Sequence, residues 1–183
     1  MGTQGGFMKP RGPLMIEHRL IEKMLALADR KAAAMTPDTY DPLFIDTVVD
    51  FIKTYADRTH HGKEEDILFA SLGKKKLDET NARIMEELVQ EHRLARQKVA
   101  EIVDLNMRYR NGDRSAAGEI TKIISWLAAF YPVHIRKEDD VFFPDTEKYF
   151  DQNELEELLQ RFWSFDRQMI HEKYGRLYAA LRG

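Results

Sequence analysis

Apolar residues recur at alternating three- and four-residue steps through almost the whole chain, and Pro, Gly, Asp and Asn interrupt that rhythm between segments. Three or four residues complete about one turn of an α-helix, so this spacing gathers the apolar side chains on one stripe. It predicts five long helices and no strand. The first runs from about Pro13 to about Ala34, stopped by Thr36-Pro37, with a seam of Leu14, His18, Ile21, Leu25, Ala28 and Ala32. The second opens at Asp41-Pro42, a cap followed by a first-turn proline, and extends to about Leu72 before Gly73. Its inner face is read as Phe44, Val48, Phe51 and Tyr55, then His61, Glu65, Leu68 and Leu72. The third is capped by Asp78 and ends before Asn111-Gly112, with Met85, Leu88, His92, Ala95, Val99, Ile102 and Asn106 in line. The fourth starts near Ser115, ends at Pro144 and carries Ile120, Ile124, Leu127, Tyr131, His134, Glu138 and Val141. The fifth runs from about Asn153 to about Leu181 on Leu155, Leu159, Phe162, Phe165, Ile170 and Leu177, with His171 at the margin of the stripe.

Short connections favour antiparallel neighbours, so the expected fold is all-α: an up-down-up-down four-helix bundle with an additional C-terminal helix. Residues 1–12, with four glycines and little pattern, read as a flexible leader. Residues 13–183 then form one helical domain, the bundle over 13–145 and the fifth helix over 153–181. Pro132 lies inside the fourth helix, where it releases the carbonyl of Ala128. The formal charge of −3, with both signs interspersed, offers no basic field for nucleic acid. No apolar stretch approaches the roughly 20 residues that cross a bilayer, and no signal-peptide pattern precedes the first helix, which suggests a cytoplasmic protein outside the membrane. The absence of cysteine removes disulfides, thiolate metal sites and thiol catalysis together.

Four of the predicted seams contain histidine, and two contain a His and a Glu four residues apart. The second and fourth helices share a nine-residue pattern, His61-Gly-Lys-Glu-Glu65-Asp66-Ile-Leu68-Phe69 and His134-Ile-Arg-Lys-Glu138-Asp139-Asp-Val141-Phe142. In an up-down order all of these residues fall towards the same end of the bundle. Buried carboxylates and imidazoles without partners are costly, and a cation removes the cost. Six side chains, His18, His61, Glu65, His92, His134 and Glu138, exceed what one tetrahedral zinc takes from protein. Two metals bridged by Glu65 and Glu138 fit the count, and the mixed donor set suits iron or manganese.

These residues resemble the hemerythrin-like, HHE cation-binding family: a histidine in the first helix, His-His-Gly-Lys-Glu-Glu-Asp-Ile-Leu-Phe in the second, Glu-His in the third, Tyr-x-x-His-x-x-x-Glu-Asp-x-x-Phe-x-Pro in the fourth. The resemblance spans roughly residues 14 to 145. It implies a four-helix bundle holding two non-haem irons, with His18, His61, Glu65, His92, His134 and Glu138 as ligands and O2, peroxide or nitric oxide as the small-molecule partner. Zinc or manganese are the alternative metals. The oxygen carriers of this family have a second histidine one turn after that of the third helix, where this chain has Arg96. They also place an aspartate five residues after the fourth-helix histidine, whereas Glu138 comes four after His134. These departures favour oxygen or peroxide reactivity, iron handling in oxidative stress, or sensing over reversible carriage. An enzyme, a metal- or oxygen-sensing interaction module without turnover, and a carrier all remain open.

Neighbouring residues are assigned lesser roles. His60 should face about 100° away from His61 and serve behind the site or on the surface. Glu64 is read as solvated beside Lys63. His171 is a candidate additional ligand, and Tyr55 and Tyr131 are core aromatics with phenols that can donate to a metal-bound group. Arg96 is expected on the surface with Glu101 or a neighbour, or, if it points inward, on an anion or a bridging carboxylate.

Overall fold

The computed structural model describes residues 9–182 and, in the last helix, side chains as far as Met169. Among the described residues the chain is all-helical, with five long helices. Helix α1 is Arg11–Ala33 and buries Leu14, His18, Ile21, Leu25, Ala28 and Ala32, the seam read from the sequence. Helix α2 spans 42–72. The Asp41 carboxylate accepts from the backbone N–H of Leu43 at 3.0 Å and Phe44 at 3.2 Å, satisfying donors that have no partner inside the helix. Helix α3 is Glu79–Arg110, capped by Asp78 through the N–H of Asn81 at 2.8 Å. It ends where Gly112 takes φ +104°, a conformation open to glycine and strained for other residues. Helix α4 spans 116–146, and α5 is Gln152–Arg182. The predicted helix over 153–181 thus exists, while the side chain of His171 lies outside the described residues. No described helix is long and apolar enough to cross a membrane.

Helix α1 packs along α4, α4 along α3, α3 along α2 and α2 against α1, so four helices enclose a common interior, and α5 lies outside against α2. Two apolar clusters fill that interior. One includes Ile21, Leu25, Val48, Ile52, Val99, Ile102, Ile124 and Leu127; the other includes Leu14, Leu68, Leu72, Leu88, Phe142 and Phe143 and extends to Phe162 of α5. Every bundle helix passes from one cluster to the other, and at that passage it presents a histidine: His18 between Leu14 and Ile21, His92 between Leu88 and Ala95, His60 and His61 beyond Ala56, His134 beyond Tyr131.

Helices α2 and α4 change winding at this level. Residues Ile52–His61 and Glu64–Phe69 of α2, and Glu138–Phe142 of α4, are π-helical, bonded i→i+5. An α-helix overshoots one turn by about 40° in four residues. The wider π turn removes that drift, so four-residue steps stay on one face. Ile52, Ala56, His60, Glu64, Leu68 and Leu72 accordingly form one buried row. This corrects the inner face expected from regular α-helical phase. Ile52 and Ala56 are buried where Phe51 and Tyr55 were expected, and in α4 Phe142 is buried while Val141 is 42 % exposed; earlier, in the regular α-helical start of α2, Ile45 is buried and Phe44 only partly.

Helix α5 is held at the same level. A Cβ on Gly62 would lie 2.7 Å from Cζ of Phe165, so the bare glycine lets the α5 ring sit directly on α2. The fully buried Lys63 ammonium donates to Glu17 of α1 and, at 2.7 Å, to Asp166 of α5. Replacing Leu88, which is fully buried beside the histidine level, with Ala should cost about 2–5 kcal/mol in denaturant unfolding. The same truncation at Leu43, 72 % exposed, should stay within about 0.5 kcal/mol.

Candidate metal centre

Seven side chains converge in two groups, His61 with His92 and His134, and His18 with His60, Glu64 and Glu138. Within each group the donor atoms lie within 4.8 Å of one another. None of the seven residues is more than 2 % exposed. Both carboxylates reach across the two groups. Glu138 brings Oε2 to 3.2 Å from His18 Nε2 and 3.3 Å from His134 Nε2, and Oε1 to 3.7 Å from His92 Nε2. Glu64 brings Oε1 to 3.3 Å from His60 Nε2 and Oε2 to 3.5 Å from His92 Nε2.

The outer nitrogen of every histidine meets a carboxylate. His18 Nδ1 lies 2.7 Å from Asp139, His60 Nδ1 2.8 Å from Glu17, His61 Nδ1 3.3 Å from Asp57, His92 Nδ1 2.7 Å from Glu65 and His134 Nδ1 2.8 Å from Glu91. An ionised carboxylate only accepts, so Nδ1 carries the proton and donates. In a neutral ring Nε2 is then a lone pair, and all five Nε2 atoms point into the cluster with no hydrogen-bond partner. Both oxygens of Glu64 and of Glu138 are likewise without a donor.

A third layer holds the outer carboxylates. Lys63 donates to Glu17, Arg19 to Asp139, and Lys137 to Glu91 at 2.6 Å. Arg96 donates to Asp57 at 2.7 Å and to Glu65 at 2.8 Å. Two inner and five outer carboxylates face these four cations, which leaves the centre short of positive charge.

The pKa shifts express that shortage. Burial opposes a charge on His60, yet Glu64 and Glu17 outweigh it and lift its pKa to about 10. Burial likewise opposes charge on His92, and Glu138, Glu65 and Glu64 lift it to about 9. His61 goes the other way, held well below the usual imidazole value by burial and then by His92, His60 and His134. Burial would raise Glu138, but His134, His18 and His92 hold it well below the usual carboxylate range. Without another cation the cluster draws protons onto its own donors; a metal takes their place and releases them.

Buried unpaired lone pairs of nitrogen and carboxylate oxygen, converging from four helices, are the donor set of His- and carboxylate-bound divalent metals. The backing of each ring nitrogen by a carboxylate is the arrangement that orients metal-binding histidines. The molecule is therefore an all-helical protein with a buried cation-binding cluster at the centre of its bundle. The chain belongs to the family described as Hemerythrin HHE cation binding domain, whose model matches residues 13–145. Members of this family bind metal cations, typically iron. No curated protein and no solved structure matches the chain.

Of the residues singled out in the sequence, the structure brings together His18, His61, His92, His134 and Glu138. Glu65 is not among them, and this corrects its expected position: it turns outward to His92 Nδ1 and Arg96, while Glu64 points inward. His60, expected behind the site or on the surface, is a member of the cluster. The π winding of α2 accounts for both. The four-residue row from Ile52 to Leu72 is the signal that could have found His60 and Glu64. Asp57 stands one turn before His61 and was legible in the same way; Glu17 and Glu91 reach histidines of other helices and leave no local sign. Arg96 does not pair with Glu101, which Lys98 takes at 2.9 Å. Tyr55 is half-buried and stacks on Phe51 with ring centroids 5.2 Å apart.

The raised pKa values of His60 and His92 give the metal-free protein stability that is fully present below about pH 6.5, the imidazole value of the unfolded chain. That contribution declines as the pH climbs and is gone once it has passed through about 9 to 10. Thermal melts of chelator-treated protein should therefore drop to lower temperature across this window, and metal-loaded protein should change much less. Parallel profiles for the two forms would mean that no cation replaces those protons in the cluster.

Proposed function

We propose that this chain is a non-haem di-iron protein that binds or reacts with oxygen, peroxide or nitric oxide and serves iron handling or the response to oxidative stress. The single observation that carries it is the set of five unpaired Nε2 atoms with two unpaired carboxylates, divided into two groups. In this reading the four bundle helices run up-down-up-down, and residues 13–183 act as one domain. His61, His92 and His134 would hold one iron and His18 and His60 the other, with Glu64 and Glu138 as the carboxylates they would share. Glu65 passes from the ligand set to the outer layer, where with Asp57, Glu91, Glu17 and Asp139 it keeps each ring in the Nδ1–H tautomer. Iron, when bound, supplies one-electron chemistry towards oxygen and its reduced forms. The chain's part is to fix the donors, hold the protons on Nδ1, and keep water out with apolar clusters on either side. Zinc or manganese fits the same donors.

A sensing role gains support from one observation: His60 joins Glu17, Lys63 and then Asp166, a continuous line of contacts from the cluster to α5. Any change in the charge on His60 is felt by Glu17 and Lys63, and through them by the helix that lies outside the bundle.

Anaerobic loading with ferrous iron should give two metals per chain, with new visible absorption on admitting air. Glu64→Ala and Glu138→Ala should each lose one or both metals, and Glu65→Ala should keep both with about 10- to 100-fold weaker affinity. Two tightly held metals in both of the first two variants would overturn the ligand set. Bands that vanish when oxygen is withdrawn mark a carrier; oxidation that persists marks an enzyme or a sensor. For the sensing role, metal loading should slow amide hydrogen exchange over residues 152–169, and Asp166→Asn should abolish the slowing while leaving the metal count unchanged. Equal protection in both forms of the wild-type chain argues against it.

A further inference from the structure

Four aromatic rings outside the donor set lie nearly parallel to histidines of the cluster. Between ring centroids, Phe143 is 6.0 Å from His18, Phe69 is 6.1 Å from His92, Tyr131 is 6.2 Å from His61 and Phe130 is 5.9 Å from His134. Phe143, Phe69 and Tyr131 are buried, so these three stacks end inside the protein. The fourth continues outward. Phe130 is only partly buried and stacks in turn on Trp126, with centroids 4.7 Å apart and planes 17° from parallel, and Trp126 is partly buried as well. Residues 126, 130 and 134 follow one another at four-residue steps on α4, which keeps their side chains on one face of the helix. Three rings therefore form a continuous line from the three-histidine group to the surface, in the offset-stacked geometry that aromatic pairs prefer.

Tyrosine and tryptophan are the aromatic side chains that give up an electron most readily, and two stand here. Tyr131 contacts both His61 and His134. A phenol loses an electron readily only as it passes its proton to an acceptor, and Tyr131 Oη has no hydrogen-bond partner. An indole radical cation persists with its N–H in place, so Trp126 has no such requirement. We propose that Trp126, Phe130 and His134 form an electron path, by which the centre draws an electron from the protein surface when its metal cannot supply enough of them. Hydrogen peroxide as oxidant takes two electrons and two protons to become two waters. Where a single ferrous ion gives the first electron, Trp126 gives the second through Phe130, and its indole is left as a radical cation at the surface. A soluble one-electron reductant restores it there, away from the ligands. Oxidation of His134 and Tyr131 is thereby avoided. This deepens the di-iron reading and rests on it for the source of the demand; Trp126 belongs to neither donor group and acts as a relay.

The test loads the chain anaerobically with one ferrous ion, adds one equivalent of hydrogen peroxide without reductant, and follows the sample by freeze-quench electron paramagnetic resonance and peptide mass spectrometry. An indole radical should appear, and oxidised indole should accumulate at Trp126 several times more than at Trp163. Trp163 is the chain's other tryptophan and the more exposed, at 39 %, so radicals diffusing through solvent would favour it instead. Trp126→Phe should abolish the radical. Phe130→Leu keeps an apolar side chain and leaves Trp126 in place; it should lower oxidation of Trp126 about tenfold and move it onto His134 and Tyr131. Zinc-loaded protein under the same peroxide should show neither radical nor product. Equal oxidation of the two tryptophans, oxidation of Trp126 untouched by Phe130→Leu, or a radical on Tyr131 in place of the indole would each overturn the path. Iron counted on the same samples separates the two readings: a chain that holds no iron overturns both, while iron held with Trp126 intact overturns the path alone.

Discussion

The hydrogen bond from each histidine Nδ1 to a carboxylate is the constraint on which the rest of this structure depends. It fixes the tautomer and so decides that the inner nitrogen is a lone pair. Repeated five times, with Glu17, Asp57, Glu65, Glu91 and Asp139 as acceptors, it turns a ring of histidines into a ring of electron-pair donors aimed at one place. Four of the five bonds join different helices. The same contacts that prepare the centre therefore also clamp the bundle at the level where its apolar core is interrupted.

Such an arrangement is unfavourable by itself. Carboxylates and imidazoles buried between two apolar clusters lose their hydration, and mutual contact cannot satisfy lone pairs that all face one another. The outer cations, Arg19, Lys63, Arg96 and Lys137, stabilise the outer carboxylates but leave the inner ones to a cation that the polypeptide does not supply. Folding of the metal-free chain thus retains strain that binding relieves, and site affinity and bundle stability are linked quantities. Lys63 carries this linkage furthest. Fully buried, it joins the carboxylate behind His60 to helix α5 and ties an otherwise peripheral helix to the charge state of the centre.

Arg96 shows how one substitution in a ligand-rich helix can be absorbed. By the resemblance it takes the place of a histidine of the family's oxygen carriers, and a guanidinium cannot serve as a ligand. Its guanidinium instead holds Asp57 and Glu65, the two carboxylates behind His61 and His92. The fifth imidazole comes from α2 as His60, one residue from His61.

Much of this was legible in the amino-acid order. The apolar seam of α1, the caps at Asp41 and Asp78, the five helices, and the histidines that break four seams all follow from local periodicity, and periodicity is a property of the chain itself. The same reasoning failed at adjacent pairs: His60 beside His61, Glu64 beside Glu65, Val141 beside Phe142. At 100° per residue a neighbour is assigned to a different face, and only a change in winding reverses that. The sequence by itself determined that histidines of four helices, with glutamates of α2 and α4, interrupt the apolar seams towards one end of the bundle, because local periodicity sets those positions in line with the apolar residues. Tertiary structure decided that Glu64 rather than Glu65 and Phe142 rather than Val141 turn inward, and that His60 joins His61 in the cluster, all at the π-wound level of α2 and α4. It also chose the carboxylate behind four of the five imidazoles, because those bonds cross between helices whose relative placement no local pattern encodes.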